Sequence, residues 1–344
     1  MINYRVACAI VLLSTLPAAC GPSRPLPKED PKPKIGLLMD TMAKEERWER
    51  DRDMFVERAK QLGADVMVES AEHDDAKQLQ QAEAMLAAGA QVLVVVPHSS
   101  EAAAQIVDAA KKRSVPVISY DRLILNADVD MYVSYDNRDV GQQQAQFLRN
   151  RAPKGNYILL GGAPTDNNAK LIREGQLAAL EDAIKSGDIK IVADPWTPDW
   201  QADAAMKLTD AALTKARNQV VAVVASNDVT AGGAIKALEQ HGLAGKVLVS
   251  GQDANLDAVR RVASGTQIMT VYKPLRVLAR AAAATAVQMA KGVKVEGTST
   301  VDNGLKQVQA ILFSPTTIHK DLIPILFSDN FLTPAQVNGT AGSK

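Results

Sequence analysis

The stretch VAVVASND, Val221–Asp228, is a run of small or β-branched apolar residues that ends in three polar ones. An apolar run of this length without alternation predicts a strand that is buried on both faces. The residues that follow, Val229–Gly233, predict the beginning of a helix. The polar residues therefore lie where the strand leaves the sheet at its carboxyl end, and ligands bind just outside such ends in open α/β sheets.

Other predicted strands end in the same kinds of residue. Asp121 and Arg122 follow one strand, Asp253 follows another and Lys273 follows a third. Because parallel strands place their carboxyl ends at one edge of a sheet, we expect these side chains to face a common site.

Strands and helices alternate along most of the chain. The first series predicts strands at Ile35–Met39, Asp65–Val68, Val92–Val96, Val115–Ser119 and Met131–Ser134, and helices at Glu46–Leu62, Asp75–Ala88 and Ser99–Arg113. The second predicts strands at Tyr157–Leu160, Ile189–Val192, Val220–Ala225 and Val247–Ser250, and helices at Val140–Arg151, Asn168–Lys185, Asp203–Lys215, Ala231–Gln240 and Leu256–Ala263. The predicted fold class is therefore α/β, with two Rossmann-like lobes built on parallel sheets.

A strand and a long helix remain after the second series, at Met269–Tyr272 and Leu275–Lys291, and a further stretch runs from Thr298 to Ser314. This surplus predicts that the chain crosses back to the first lobe and then returns, so that several strands form a hinge. The expected N-terminal lobe is 34–137 with 268–293, and the expected C-terminal lobe is 138–267 with 294–330. Residues 331–344 are expected to form a polar tail.

Residues 1–20 have the form of an export signal. Arg5 precedes the apolar run Val6–Leu16, which is too short to span a bilayer as a stable helix. Ala18 and Ala19 then precede Cys20 as in a bacterial lipobox, which predicts a lipid on Cys20; the alternative is an ordinary signal peptide cut near Ala19. Residues 21–33 are polar and rich in Pro and predict a tether. We expect an exported protein, periplasmic or at the cell surface, that meets a membrane only through its lipid.

The composition argues against several classes of site. Lys plus Arg and Asp plus Glu each number 39, so the chain lacks the basic excess of nucleic-acid-binding proteins. Both cysteines lie in the first twenty residues, which leaves the folded body without a thiol for a disulfide, a zinc site or a nucleophile. The sequence has no Gly-x-Ser-x-Gly, Walker or His-Glu-x-x-His motif, and its four histidines are scattered. We expect the histidines in loops or at the surface, and we predict no catalysis, no cofactor and no metal.

Asp, Asn, Arg and Lys at strand ends, with a few Trp, are suited to binding carbohydrate. Sugar hydroxyls donate and accept hydrogen bonds at once, carboxylates accept, and cationic side chains donate. An indole can cover the apolar C–H face of a sugar ring. Each residue taken singly has another explanation. Asp121 and Arg122 would pair with each other at a surface, Trp48 has the helical spacing of a core residue, and Asp253 would cap the next helix.

The sequence resembles the type I periplasmic sugar-binding proteins of ABC importers over roughly Lys34–Pro315. The stretches that carry the resemblance are Glu46–Trp48 with Asp51–Asp53, Tyr120–Arg122, Gly161–Lys170, Trp196 and Trp200, Ala225–Asp228 with Thr230–Ala234, Gly251–Ala254 and Thr270–Pro274. The resemblance implies the fold of that class, in which two Rossmann-like lobes are joined by a multi-strand hinge.

The resemblance also implies the residues that bind the sugar. Hydrogen bonds are expected from Arg47, Asp121 and Arg122 in the first lobe, from Asp166, Asn168 and Asn227 in the second, and from Asp253 and Lys273 near the hinge. Trp48 and Trp200 are expected to sandwich the sugar. Trp196 is the less suited stacking partner, because Pro195 suggests a turn at the end of a strand. Asn227, at first a candidate helix cap, is thereby interpreted as a sugar ligand, and Ser226 and Asp228 remain as structural neighbours able to cap the next helix.

The implied function is to bind a monosaccharide, with D-xylose as the expected sugar, for an ABC importer. Two lobes close on the ligand, and a membrane permease reads the closed form of the monomer. A sensor that presents its sugar to a chemoreceptor or histidine kinase is an open alternative. A sugar-responsive repressor would need a DNA-binding domain that residues 21–33 are too short and too Pro-rich to supply. An enzyme on a similar fold would need reactive groups that the sequence does not single out.

Overall fold

The computed structural model describes residues 31–42 and 46–339. The predicted export signal with Cys20, and residues 21–30 of the predicted tether, lie outside these residues. The first series of elements is β1 (Lys34–Met39), α1 (Glu46–Gln61), β2 (Asp65–Ser70), α2 (Asp75–Ala87), β3 (Val92–Val95), α3 (Ala104–Lys111), β4 (Val117–Tyr120) and β5 (Met131–Tyr135).

The second series follows without a break. It consists of α4 (Asn137–Arg149), β6 (Gly155–Leu160), α5 (Asn167–Lys185), β7 (Ile189–Ala193), α6 (Ala202–Lys215), β8 (Ala222–Ala225), α7 (Asp228–Gln240), β9 (Leu248–Val249) and α8 (Leu256–Ser264). The remaining elements are β10 (Thr270–Tyr272), α9 (Leu275–Ala290), β11 (Ser299–Asp302), β12 (Gln307–Phe313), β13 (Thr316–Ile318), α10 (Pro324–Ser328) and α11 (Pro334–Asn338). Short 3-10 helices span Pro198–Trp200 and Lys320–Leu322.

Two parallel sheets organise the part of the chain that the structure describes. A seven-stranded sheet has the order β11-β12-β5-β4-β3-β1-β2, and only β11 is antiparallel to its neighbour. A four-stranded sheet has the order β7-β6-β8-β9 and is parallel throughout. In each sheet the first strand of the series lies between the second and the third, so the direction of winding reverses beside it. Ligands bind outside the carboxyl ends of the strands at such a point. We call the seven-stranded sheet with α1–α3 and α9 the first lobe, and the four-stranded sheet with α4–α8 the second lobe.

The path of the chain after α8 differs from the prediction. Strand β10 was expected in the first lobe, but Val271 forms a bridge with Gln252 of the second lobe, and β10 pairs with β13. Strands β11 and β12 were expected in the second lobe, but β12 pairs in parallel with β5, Ile311 opposite Val133. The prediction is wrong for these strands because β5 has a free edge that β12 completes, and a strand's own sequence does not reveal its partner.

Each sheet is covered on both faces. In the first lobe, Trp48, Phe55 and Leu278 are buried on the face that α1 and α9 cover, while Met85 and Ile106 are buried on the face of α2 and α3. The second lobe has corresponding clusters on its two faces. Continuous apolar strands such as β3 and β8 are therefore fully buried, as their sequences predict.

The end of the chain is more than a polar tail. Leu332 and Val337 are buried in a cluster with Val259 and Ile323, and α11 packs against α8. The sequence prediction for residues 331–339 is therefore wrong, because two apolar side chains among polar neighbours suffice to fix a short helix on a larger surface. No helix within residues 31–42 and 46–339 has the length and apolar character needed to cross a membrane.

Candidate functional site

One pocket brings together every residue that the sequence assigned to sugar binding. Its walls are Arg47, Trp48, Asp121, Arg122, Asp166, Asn168, Trp200, Asn227, Asp253 and Lys273, together with Ile172 and Gln252. These residues come from both lobes and from the segments that join them. Their convergence follows from the carboxyl-end positions that the sequence predicted, because the strand ends of both lobes line this pocket.

The first lobe contributes the first turn of α1 and the segment after β4. Arg47 and Trp48 occupy the helix, and Asp121 and Arg122 follow the strand directly. Asp121 has a φ of 60°, and its carbonyl oxygen accepts hydrogen bonds from Tyr132 Oη at 3.0 Å and Ser134 Oγ at 2.6 Å. A left-handed backbone at a residue other than glycine is strained, and it persists only where the surroundings hold it.

The second lobe presents the amino-terminal ends of α5 and α7. Asp166 is the N-cap of α5 and accepts a hydrogen bond from the backbone N–H of Asn168 at 2.8 Å. Asn227 is the N-cap of α7 and forms a capping box with Thr230, whose N–H donates to Asn227 Oδ1 at 2.9 Å. The alternative that Ser226 or Asp228 caps α7 does not hold, because Asn227 lies at the position from which a side chain reaches the N3 amide.

Asp228 is fixed instead by the segment that leads to the hinge. Its carboxylate accepts hydrogen bonds from Gln267 Nε2 at 2.8 Å, Thr270 Oγ1 at 3.0 Å and the backbone N–H of Asn255 at 2.9 Å. Burial raises the pKa of Asp228 to about 7. Asp253 does not cap α8, since Asn255 holds that position; Asp253 lies in the pocket with a φ of 97°.

Ion pairs cross the pocket from one lobe to the other. Arg47 of α1 pairs with Asp121 in its own lobe, and its Nη1 lies 3.2 Å from Asp253 Oδ1. Lys273 Nζ lies 3.4 Å from the same Asp253 oxygen. Burial opposes the ionisation of Asp121, but Arg47 and the other nearby cations outweigh that effect and hold its pKa below the ordinary value. The Asp121 carboxylate is therefore an acceptor at neutral pH.

Arg122 forms a second link between the lobes. Its Nη1 lies 2.7 Å from Asp40 Oδ2, and its Nε lies 2.9 Å from Asp166 Oδ2. Asn168 extends the link, because its Nδ2 donates to Asp121 Oδ1 at 3.2 Å. Asp121 and Arg122 therefore do not pair with each other at a surface. Each binds a partner on the opposite lobe.

Two indole side chains lie in the pocket wall. Trp48 is only 2 % exposed and belongs to the apolar core as well as to the pocket, so its helical spacing correctly indicated burial. The guanidinium of Arg47 lies 4.3 Å from the centre of the Trp48 ring. Trp200 is 8 % exposed, has a φ of 57°, and its Nε1 donates to Asp166 Oδ2 at 3.2 Å. Trp196 is outside the pocket and packs against Arg173, in agreement with the prediction that it is the less suited stacking partner for the sugar.

The sequence reasoning missed Gln252 and Ile172. Gln252 is buried, and its Oε1 has no hydrogen-bond partner among the described residues; the same holds for Arg47 Nε and Trp48 Nε1. Buried polar atoms without partners are uncommon in folded proteins and mark places where a ligand can bind. Gln252 lies within a stretch that carried the family resemblance, Gly251–Ala254, which was the signal that could have identified it.

Comparison with known proteins identifies the family to which this chain belongs. A family model described as a periplasmic binding protein domain matches residues 35–294. The chain belongs to that family. Two curated relatives of this chain are D-xylose-binding periplasmic proteins. The one from Haemophilus influenzae is 48% identical, over 88% of this chain and 92% of the relative, and the one from Escherichia coli is 47% identical, over 84% and 88%.

A solved structure that is similar to this chain has the same fold. It is a carbohydrate transporter solute binding protein from Chloroflexus aurantiacus in complex with D-glucose, with a TM-score of 0.83 and 31% identity. The alignment covers 89% of this chain and 98% of that protein. The predicted α/β fold and the resemblance to type I periplasmic sugar-binding proteins are confirmed.

His73 and His98 lie in loops, as the sequence predicted. The fold also places both rings beside the carboxylate of Asp40, with each Nδ1 3.1 Å from Asp40 Oδ1. The rings' centres are 5.3 Å apart. The spacing of these residues in the sequence does not predict this cluster, because the three residues follow three different strands.

Proposed function

We propose that this protein is the substrate-binding component of a sugar ABC importer and that it binds D-xylose in the pocket between its lobes. The observation that carries the proposal is the convergence of acceptors, donors and two indoles from both lobes on one buried pocket. The names of the curated relatives, D-xylose-binding periplasmic proteins, support the choice of sugar. No described residue favours the sensor alternative, and neither of those relatives is named as a sensor.

The pocket can satisfy sugar hydroxyls in both senses. Carboxylates of Asp121, Asp166 and Asp253 accept hydrogen bonds, whereas Arg122 and Lys273 donate them. Hydrogen bonds that involve a charged group are about twice as strong as neutral ones. In our proposal the two indoles cover the apolar faces of the ring. The unpaired Gln252 Oε1 adds an acceptor.

We further propose that binding closes the lobes about a hinge. The chain passes between the lobes at residues 135–137, 272–275 and 313–316 of the described part. Tyr135 Oη donates to the carbonyl oxygen of Pro274 at 2.9 Å and so ties two of these segments together. Because both lobes bear sugar-binding groups, the ligand binds the closed form more strongly and shifts the population towards it. A permease would then recognise the closed form.

Localisation and assembly complete the proposal. The family implies export to the periplasm. We propose that Cys20 carries a lipid, that the protein works as a monomer, and that its role is binding without catalysis. The relatives of this chain are binding proteins by name, which supports the last point.

Calorimetric titration with D-xylose, D-ribose, L-arabinose, D-glucose and D-galactose tests the proposed function. We expect one sugar to bind per chain, with D-xylose the tightest. Asp166→Asn should weaken that binding, whereas Asp203→Asn on the exposed first turn of α6 should leave it unchanged. Absence of binding to every sugar would refute the proposal. Tighter binding of a hexose would replace the proposed sugar.

A further inference from the structure

Three potential metal ligands meet at the winding reversal of the first lobe. Asp40 directly follows β1, His73 follows β2, and His98 follows β3. These three strands are adjacent and parallel, in the order β3-β1-β2. Their carboxyl ends therefore lie side by side, and the side chains that leave them are collected in the crevice where α/β sheets bind ligands.

The ligand atoms are spaced as a small metal ion requires. Nδ1 of His73 and Nδ1 of His98 each lie 3.1 Å from Asp40 Oδ1, and the three atoms all lie within 4.8 Å of one another. Zinc binds imidazole nitrogen and carboxylate oxygen at about 2.0–2.2 Å, which places tetrahedral ligands about 3.3–3.5 Å apart. An ion can thus enter with small shifts of two side chains.

The surroundings orient the carboxylate towards the histidines. Asp40 is 1 % exposed, and its Oδ2 is held by Arg122 Nη1 at 2.7 Å, which leaves Oδ1 for the two rings. A hydrogen-bonded carboxylate that presents one oxygen is the usual second-shell arrangement of a metal ligand. Arg122 also brings a positive charge, which lowers the affinity for a cation relative to the same three ligands without it.

The histidine side of the cluster is open to solvent. The side chain of His73 is 38 % exposed and that of His98 is 15 % exposed, so a water molecule can complete the coordination of an ion. Both histidines lie outside the wall of the sugar pocket. Asp40 also lies outside it but pairs with Arg122, which is part of the wall. The cluster is therefore a separate site that shares one charged neighbour with the sugar.

We propose that Asp40, His73 and His98 bind one divalent transition-metal ion, with zinc as the preferred occupant and a water as the fourth ligand. Two imidazole nitrogens favour zinc, cobalt, nickel or copper over calcium and magnesium, which prefer oxygen ligands. The alternative is a cluster in which both Nδ1–H groups simply donate to Asp40 Oδ1.

The test is calorimetric titration of the chelator-treated, tag-free protein with Zn²⁺ at neutral pH. We expect one ion per chain, and an affinity that falls at least about tenfold in His73→Ala and in His98→Ala. The matched control is His241→Ala, because His241 also pairs with a carboxylate, Asp210, at 2.8 Å but has no second histidine beside it. This control should bind Zn²⁺ as the parent does.

A second measurement separates a defined site from surface binding. With Co²⁺, the parent protein and His241→Ala should show the visible absorption of a tetrahedral nitrogen–oxygen site. His73→Ala and His98→Ala should not show it. Circular dichroism checks that each variant is folded. The proposal is overturned if the parent binds no stoichiometric ion, if the double variant of His73 and His98 binds as tightly as the parent, or if His241→Ala loses binding to the same extent.

Discussion

Gly162 is the residue whose substitution tests the position of Trp200 most directly. A Cβ added at Gly162 would lie 2.0 Å from Trp200 Cη2, 2.2 Å from Cζ3 and 2.3 Å from Cζ2. Carbon atoms in contact are about 3.5–4.0 Å apart. In Gly162→Ala the indole must therefore move by about 1–2 Å, away from the site where Nε1 donates to Asp166.

The expected loss of sugar affinity follows from the displaced indole, which no longer covers the sugar as the proposed site requires. The hydrogen bond that fixes the indole and Asp166 contributes about 1.5–3 kcal/mol as a bond to a charged group, and we take this value as the upper bound of the loss in binding. We expect the dissociation constant of Gly162→Ala for D-xylose to rise by roughly 10- to 100-fold. Overpacking should also lower the free energy of unfolding by about 1–3 kcal/mol, which leaves a folded protein.

Gly232→Ala is the matched control. Its Cβ would lie 3.5 Å from Arg261 Nη1, an ordinary contact, and the position is inside helix α7. This substitution should leave the dissociation constant unchanged and stabilise the fold by about 0.5–1 kcal/mol. Calorimetry and thermal denaturation measure both effects.

The reasoning fails if Gly162→Ala binds the sugar as tightly as the parent, because the indole would then contribute nothing at its observed position. It fails equally if both alanine variants lose the same affinity. Trp200→Phe gives an independent reading, since it removes the Nε1 hydrogen bond to Asp166 without adding an atom. It should weaken binding about tenfold or more.

Further predictions concern the other parts of the molecule. Asp253→Ala should weaken D-xylose binding by about 1–3 kcal/mol in calorimetry, because it leaves Arg47 with fewer partners; an unchanged affinity would remove Asp253 from the site. Asn227→Ala should weaken binding by a similar amount and also cost about 1 kcal/mol of stability in urea denaturation through the lost N-cap; a loss of neither would contradict both roles. Burial raises the pKa of Asp51 from 3.8 to about 7, so the folded state holds more protons than the unfolded state between these values. Stability should therefore fall as the pH rises through that range, by up to about 4 kcal/mol from this group, and Asp51→Asn should flatten the profile measured by urea denaturation; an equally steep profile would count against the raised pKa. Cys20→Ser should release the protein from membranes in a sedimentation assay, and continued sedimentation with the membrane would refute the lipid anchor.

The sequence predicted most residues of the pocket wall because of where its polar residues occur. Five of these residues follow predicted strands, whose ends meet at one edge of a parallel sheet: Asp121, Arg122, Asn227, Asp253 and Lys273. The other five were implied by the family resemblance, and the structure places all ten around one pocket: Arg47, Trp48, Asp166, Asn168 and Trp200. Gln252 was missed because the observation that singles it out, an unpaired amide oxygen, exists only once the chain is folded. In the sequence, only its place in the resemblance stretch Gly251–Ala254 pointed to it.

The sequence by itself determined the order of strands and helices, the two α/β lobes and the polar strand ends, since hydrophobic periodicity and capping are local properties of the chain. Only the tertiary structure decided which sheet receives β10, β11 and β12, because a strand pairs with whichever edge is free beside it. The same holds for the cluster of Asp40, His73 and His98. Its members are far apart in the sequence and share no spacing, and they meet because three parallel strands end side by side.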